Sequence, residues 1–292
     1  MENLPIRTSF EFLAASMKYW KPGEDYAQEI VVSLKNQIQE NDILVVSEKA
    51  LAIVTGQIAD ESLIVPSSAA KILARYWMRY VWGYILGPIC HLNRVTLNHL
   101  KDYPREEGAI HKQMVLQHFG LLQALEQGSE GGVDISNLPY SYVSLPLQNP
   151  QIIAKQIRKK VEEELGKQIA VIVVDSDKTY SLKNFHFTPR LNSVPGIHHL
   201  IGVIGYVIGR LLNLRRRATP LAVVGLEAHV EELLEISDSA DRARGVGAGK
   251  TVWDMVKKFK VPFTHITYEM LDKAEHRPLV IVRRSPSNPP NM

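Results

Sequence analysis

Val171-Ile172-Val173-Val174-Asp175-Ser176-Asp177 joins an apolar, β-branched run to acids. Such a run suits a strand buried on both faces, and the carboxyl end of a buried strand opens on the crevice where open α/β sheets bind ligands. The expected strand spans Ile169 to Val174, with Asp175 delivered at its end. A helix from Pro150 to Leu165 precedes it, announced by Asn149-Pro150 and stopped at Gly166. A second acidic stretch, Ser129-Glu-Gly-Gly-Val-Asp-Ile-Ser-Asn137, surrounds Asp134 with glycines and small hydroxyl or amide side chains. That composition leaves space around the carboxylate and adds oxygen donors. Two such acids suit a shared hard cation, because Mg²⁺ or Mn²⁺ takes oxygen ligands and keeps waters and substrate phosphate oxygens in its shell.

Working outward, Ile43 to Val54 reads as a strand pair or one long strand, with Ser47, Glu48 and Lys49 in its middle and a turn near Gly56. Ser67 to Tyr84 and Ile110 to Gln127 carry apolar residues at intervals of three and four and read as helices, the second ended by Gly128. Lys178 to Ser193, with Phe185, His186, Phe187, Pro189 and Arg190, reads as a loop over a site. Leu200 to Leu212 is too short to span a bilayer, and Gly202, Gly205 and Gly209 favour a buried strand or tightly packed segment. Helical periodicity returns from Leu221 to Ala243, and Pro278 to Val282 is a last strand. Ser285 to Met292, with three prolines in eight residues, is expected to be a disordered tail. The mixture predicts an α+β (mixed α/β) class: one unit over residues 1–284, with room for a smaller second lobe around 178–255.

A chain of 292 residues with 45% hydrophobic content can bury a large core. Its 34 basic and 31 acidic residues, net +3, are too balanced to imply nucleic acid. Cys90 is the one cysteine, so no internal disulfide forms; a buried, inert thiol in a reducing cytosol is expected. The start, Met-Glu-Asn-Leu-Pro, lacks a basic segment followed by a long apolar run, which speaks against secretion.

Four other features are weighed. Gly245-Val-Gly-Ala-Gly-Lys-Thr251 imitates a phosphate-binding loop, yet Arg244 stands where that loop needs its first glycine, and the preceding segment reads as a helix instead of a strand. A glycine-rich helix C-terminus is the plainer reading, with Lys250 a minor candidate. Arg215-Arg216-Arg217 suits phosphate oxygens as well as it suits a solvated charge run. His198 and His199 read as hydrogen-bonded core histidines before ligands. Lys49 is either a point charge for a phosphate or a surface lysine at a turn.

The order Asp42-Ile-Leu-Val-Val, Lys49, Gly56; Gly132-Val-Asp134-Ile-Ser136-Asn137; Leu145-Pro146; Val174-Asp175-Ser176; and Ile201-Gly-Val-Ile-Gly205 resembles the coenzyme F-420 γ-glutamyl ligase family, from about residue 40 to about 255. The Gly-Val-Asp-x-Ser-Asn element is its most specific piece. The resemblance implies a cytoplasmic, GTP-dependent amide ligase that joins L-glutamate to a deazaflavin-type acid through an acyl phosphate. It implies an intertwined homodimer with mixed sheets flanked by helices, and two divalent ions, Mg²⁺ or Mn²⁺. Asp134 and Asp175 would hold the metal with Ser176 and Glu130, while Lys49, Ser47, Ser136 and Asn137 would face the nucleotide. Asp134, Asp175 and Lys49 would carry the catalysis.

The chain departs from that pattern at several places. Glu48 stands where the family usually has serine, and Ser129-Glu130-Gly131-Gly132 replaces an Ala-Asn-Ala-Gly run. Arg215 to Ala222 lacks the expected acids, and an insertion separates Asp175 from Ile201. A ligase of the same fold for a different acid or amino acid, and a nucleotide-binding homologue without catalysis, therefore stand as alternatives.

Overall fold

A computed structural model describes residues 9–128, 130–200 and 202–285. Among them nine strands form: β1 (Ser9–Met17), β2 (Ile43–Ser47), β3 (Ile58–Asp60), β4 (Tyr142–Ser144), β5 (Ala170–Leu182), β6 (Phe185–Thr188), β7 (Ile197–His199), β8 (Arg215–Val224) and β9 (His276–Ser285). Seven of them make one mixed sheet in the order β1-β9-β2-β5-β6-β7, with β8 also paired to β5; β3 and β4 form a separate two-stranded sheet. The pairs β2–β5 and β6–β7 are parallel and the others antiparallel.

Side chains on a strand alternate between faces, so the central run divides between two cores. Leu44, Val46, Val171, Val173, Leu279 and Ile281 point to one face, where the helices Tyr26–Leu34 and Pro150–Leu165 cover them with Ile30, Leu34, Ile153 and Ile157. Ile43, Val45, Ile172, Val174, Val280 and Val282 point to the other, against Leu233, Leu234, Ile236 and Ala240 of the helix Val230–Arg244. Each fully buried aliphatic side chain contributes roughly 1.5–3 kcal/mol. The sheet is thus a rigid platform flanked by helices, as the mixed α/β reading requires.

Several local readings are corrected. The segment 43–54 is not continuous strand: Ser47 ends β2 and its hydroxyl caps the helix Glu48–Val54 by accepting from the N–H of Ala50. The helix read over Ser67 to Tyr84 is a short α-helix, Ser68–Ile72, followed by a π-helix, Leu73–Leu86. The i→i+5 winding brings residues five apart onto one side, and the indole N–H groups of Trp77 and Trp82 both donate to the carbonyl of Leu125 at 2.7 Å. The helix expected over Ile110 to Gln127 runs from Glu106 to Phe119, breaks at Gly120, whose φ of 81° no α-helix accepts, and resumes only as Leu121–Ala124.

Strand β5 does not end at Asp175. It bulges between Asp175 and Lys178 and runs on to Leu182, and the expected loop over a site is largely the end of β5 with β6. Leu200 to Leu212 is not a strand: Gly202–Leu211 is a helix whose glycines let its backbone close on Leu122 and the Tyr180 ring. Leu221 to Ala243 begins as strand β8, because Ala222-Val-Val pairs with β5, and becomes helical only from Val230. His198 and His199 lie exposed on β7 instead of in a core. Cys90 is buried as expected, and burial pushes its thiol up. Ser285 is the last residue of β9; the remainder of the expected tail lies outside the described residues. Among the described residues no helix is long and apolar enough to cross a membrane.

Candidate active site

The parallel register places Ser47 opposite Val174, so Glu48-Lys49 and Asp175 follow at the same end of the β2–β5 pairing. Ser47 accepts a hydrogen bond from Nη1 of Arg244 at 2.7 Å while capping the next helix. From the first turn of that helix Lys49 reaches Asp134. Its ammonium pairs with Oδ2 of Asp134 and donates to Oγ of Ser136 at 2.8 Å.

Asp134 is fixed from two directions. Its backbone exchanges hydrogen bonds with Ser144, and its Oδ1 accepts from the N–H of Ser136 at 2.7 Å, a local turn that small residues permit. Its side chain is 37% exposed and that of Lys49 19%, so a ligand can reach the pair. Asn137 follows in the left-handed region, φ 59°, and its amide grips the glycine-rich segment: Oδ1 accepts from Ala248 N–H at 2.6 Å and Nδ2 donates to the Gly249 carbonyl at 2.8 Å. A Cβ on Gly247 would stand 2.7 Å from Asn137 Oδ1. Gly245 ends the helix Val230–Arg244, as the plainer reading of that segment held, and Lys250 is exposed.

Asp175 takes the other side. Its Oδ1 accepts from the Asp177 N–H at 3.1 Å, and its Oδ2 lies 2.6 Å from Nε of Arg190. Ser176 sits exposed on the bulge. The buried guanidinium of Arg190 also donates to Oε1 of Glu48 at 2.7 Å and to the Gly131 carbonyl at 2.6 Å. Glu48 accepts a further bond from the Leu147 N–H at 2.6 Å. Burial pushes the Glu48 carboxyl up to about 7, against the pull of Arg190.

Glu130 is placed apart from these acids, in a buried chain of charges. Its two oxygens meet Nε2 of His111 at 2.5 Å and Nζ of Lys112 at 2.6 Å, and Nδ1 of His111 meets Glu61 at 2.6 Å. Burial opposes the charge on His111, but Glu130 and Glu61 outweigh it and raise the imidazole to about 10. Burial likewise opposes the charge on Glu130, but Lys112 and His111 outweigh it and hold that carboxyl down to about 2. Of the arginine triplet, Arg217 is buried and paired with Glu231 and Glu235, and Arg215 pairs with both.

Among the described residues no three His, Cys, Asp or Glu side chains converge to hold a metal ion. The donor chemistry fits a hard cation at Asp134, an accessible carboxylate beside the Ser136 hydroxyl. It fits poorly at Asp175, only 11% exposed with one oxygen against buried Arg190 and the other on the Asp177 N–H, and at Glu130, buried with both oxygens on cations.

Sequence reasoning passed over Arg190 as a member of a loop, and over His111 and Lys112 entirely. A charged pair on the apolar face of a helical pattern was the available signal for the last two, since buried charges demand partners.

The family model described as F420-0:Gamma-glutamyl ligase matches residues 15–232. An uncharacterized protein of Methanocaldococcus jannaschii is 34% identical over 295 residues, covering 97% of this chain and 96% of its own length. The coenzyme F420:L-glutamate ligase of the same organism is 26% identical over 168 residues, 57% of this chain and 59% of its own length.

Proposed function

The chain belongs to the F420-0:gamma-glutamyl ligase family, and from that premise we propose that it is a GTP-dependent ligase forming an amide between L-glutamate and a deazaflavin-type acid. The observation that carries the reading is the Lys49–Asp134–Ser136 cluster, reached by Lys49 from the carboxyl end of the parallel pair β2–β5 and open to a ligand at the Asp134 carboxylate.

A carboxylate is a poor electrophile. In this reading the acceptor carboxylate oxygen attacks the γ-phosphorus of GTP, GDP leaves, and the acid becomes an acyl phosphate. The amino group of glutamate then attacks the acyl carbon, loses its proton, and inorganic phosphate departs. Lys49 supplies a point charge to the transferring phosphoryl oxygens from a position fixed by Asp134 and Ser136. Asp134, with the Ser136 hydroxyl beside it, would hold a Mg²⁺ or Mn²⁺ ion, which when bound offsets negative charge on phosphate oxygens. Ser47 and Asn137 act through the backbone: one caps the helix that presents Lys49, and the other fastens the glycine-rich segment beside the cluster.

A second reading, the same chemistry on a different acid or amino acid, is favoured by one observation. The match to the coenzyme F420:L-glutamate ligase covers 57% of this chain, whereas the uncharacterized relative matches 97% of it. Supplying GTP and Mn²⁺ with glutamate or other amino acids, and with the deazaflavin acid or other acids, while reading product masses, separates the two. A glutamyl adduct of the deazaflavin acid supports the first, and turnover only with another pair supports the second.

A further inference from the structure

Arg190 is buried with 2% of its side chain exposed, yet its guanidinium is in contact on every edge. Nε lies 2.6 Å from Oδ2 of Asp175 in an ion pair without an aligned hydrogen bond, Nη2 donates to Glu48 at 2.7 Å, and Nη1 donates to the Gly131 carbonyl at 2.6 Å. Two carboxylates and a carbonyl, all hard oxygen donors, thus surround one positive group. The chain has been shaped to admit it: a Cβ on Gly132 would lie 1.8 Å from Nη1, so the glycine before the Val-Asp134 element yields the room the guanidinium fills.

We propose that Arg190 is a resident cation standing between Asp175 and Glu48, so that the second acid of the site holds a guanidinium where a divalent metal ion would otherwise be needed. Buried carboxylates repel one another and are costly to desolvate unless a counter-charge joins them. A guanidinium keeps its charge at all accessible pH, and its planar fork spans two acids in a way an ammonium does not. The same group ties three segments together: β5 through Asp175, the start of the helix Glu48–Val54, and the loop leading into Asp134. The inference rests on the reading of Asp134 and Asp175 as acids of one site, and it separates them: Asp134 carries Lys49 but is 37% exposed and open to an exchangeable metal, whereas Asp175, 11% exposed, is closed over by Arg190.

The test uses Mn²⁺ alone, with no nucleotide, counting bound ions by electron paramagnetic resonance. Asp134→Asn is expected to weaken Mn²⁺ binding by about tenfold or more, at least the cost of losing a mere outer-shell partner, while Asp175→Asn leaves it within about twofold. Arg190→Gln, which frees Asp175 and Glu48, is expected to bind one more Mn²⁺ per chain than the natural protein, and Arg190→Gln combined with Asp175→Asn loses it again. Weakening by Asp175→Asn equal to that by Asp134→Asn would overturn the inference, as would an Arg190→Gln protein that is folded by circular dichroism and gains no Mn²⁺. If Arg190→Gln does not fold, the Asp175→Asn comparison decides alone. Amide synthesis is not read here, so a chain showing this Mn²⁺ pattern without making product defeats the ligase reading and leaves the assignment of Arg190 standing.

Discussion

Ser47 and Val174 stand opposite one another in the parallel pair β2–β5, and the residues that follow them diverge into the two halves of the candidate site. Past Ser47 the chain turns helical and lifts Lys49 toward Asp134; past Val174 it bulges and presents Asp175 to Arg190. One register therefore positions one cation, Lys49, and one acid, Asp175, and each meets its partner, Asp134 or Arg190, from another segment.

Lys49→Met should leave the fold intact, because the side chain is partly exposed. It should lower GTP turnover roughly 10²–10³-fold, the scale for removing one preorganised donor to a charged transition state. Combining it with Asp134→Asn should cost little more than either change alone, since the two act as a unit. Steady-state kinetics on the three variants checks this, and fully additive losses would contradict it.

Asn137→Ala removes the bonds to Ala248 N–H and the Gly249 carbonyl. The expected loss of stability is about 1–3 kcal/mol. The effect should be local: hydrogen exchange across residues 245–251 should quicken while the β2 and β5 amides stay protected. Urea unfolding with exchange mass spectrometry measures both.

Gly132→Ala meets two obstacles, a φ of 93° and the guanidinium of Arg190. Gly23→Ala meets only the first, since φ is 84° there and no atom lies within 4 Å of the added Cβ. The first should destabilise by roughly 2–4 kcal/mol and the second by about 1 kcal/mol. Equal melting temperatures for the two variants would show that Arg190 does not occupy the space beside Gly132.

Two histidines bend the pH profile of stability in opposite directions. His111 is raised from 6.5 to about 10 in the folded chain, so its contribution is complete below 6.5 and is lost as pH rises through 10. Burial, aided by Arg244, depresses His276 from 6.5 to about 4, and its enclosed Nε2 has no hydrogen-bond partner among the described residues. The unfolded chain then takes up a proton that the folded chain refuses, so stability falls as pH drops from 6.5 toward 4. Glu48, raised to about 7, works the other way on the acid side, because the folded chain there holds a proton that the unfolded chain releases. Urea midpoints should therefore decline above about 6.5, a limb that His111→Gln flattens, while the acid decline due to His276 should emerge in Glu48→Gln and vanish again when His276→Gln is added.

The strand at Val171 to Val174 was legible because a β-branched run has few other conformations open to it, and the helix Pro150–Leu165 because Pro150 and Gly166 mark its ends. Local composition does not report what a segment pairs with. Leu221-Ala-Val-Val is strand because β5 lies beside it, and Gly202–Leu211 is helix because its glycines admit close neighbours. The acids of the site stood out as sequence elements, whereas Arg190 did not. Its role depends on Glu48, 142 positions away, and on a gap left by Gly132, neither of which a linear pattern displays.

The most direct measurement is phosphate release from GTP by the purified protein with Mn²⁺, with and without L-glutamate and the deazaflavin acid, read together with product mass, for the natural chain and Asp134→Asn. The account predicts release that requires both co-substrates, a product heavier by one or more glutamyl units, and loss of both signals in the variant. GTP bound but not consumed with any acid, or turnover that survives Asp134→Asn unchanged, would contradict it.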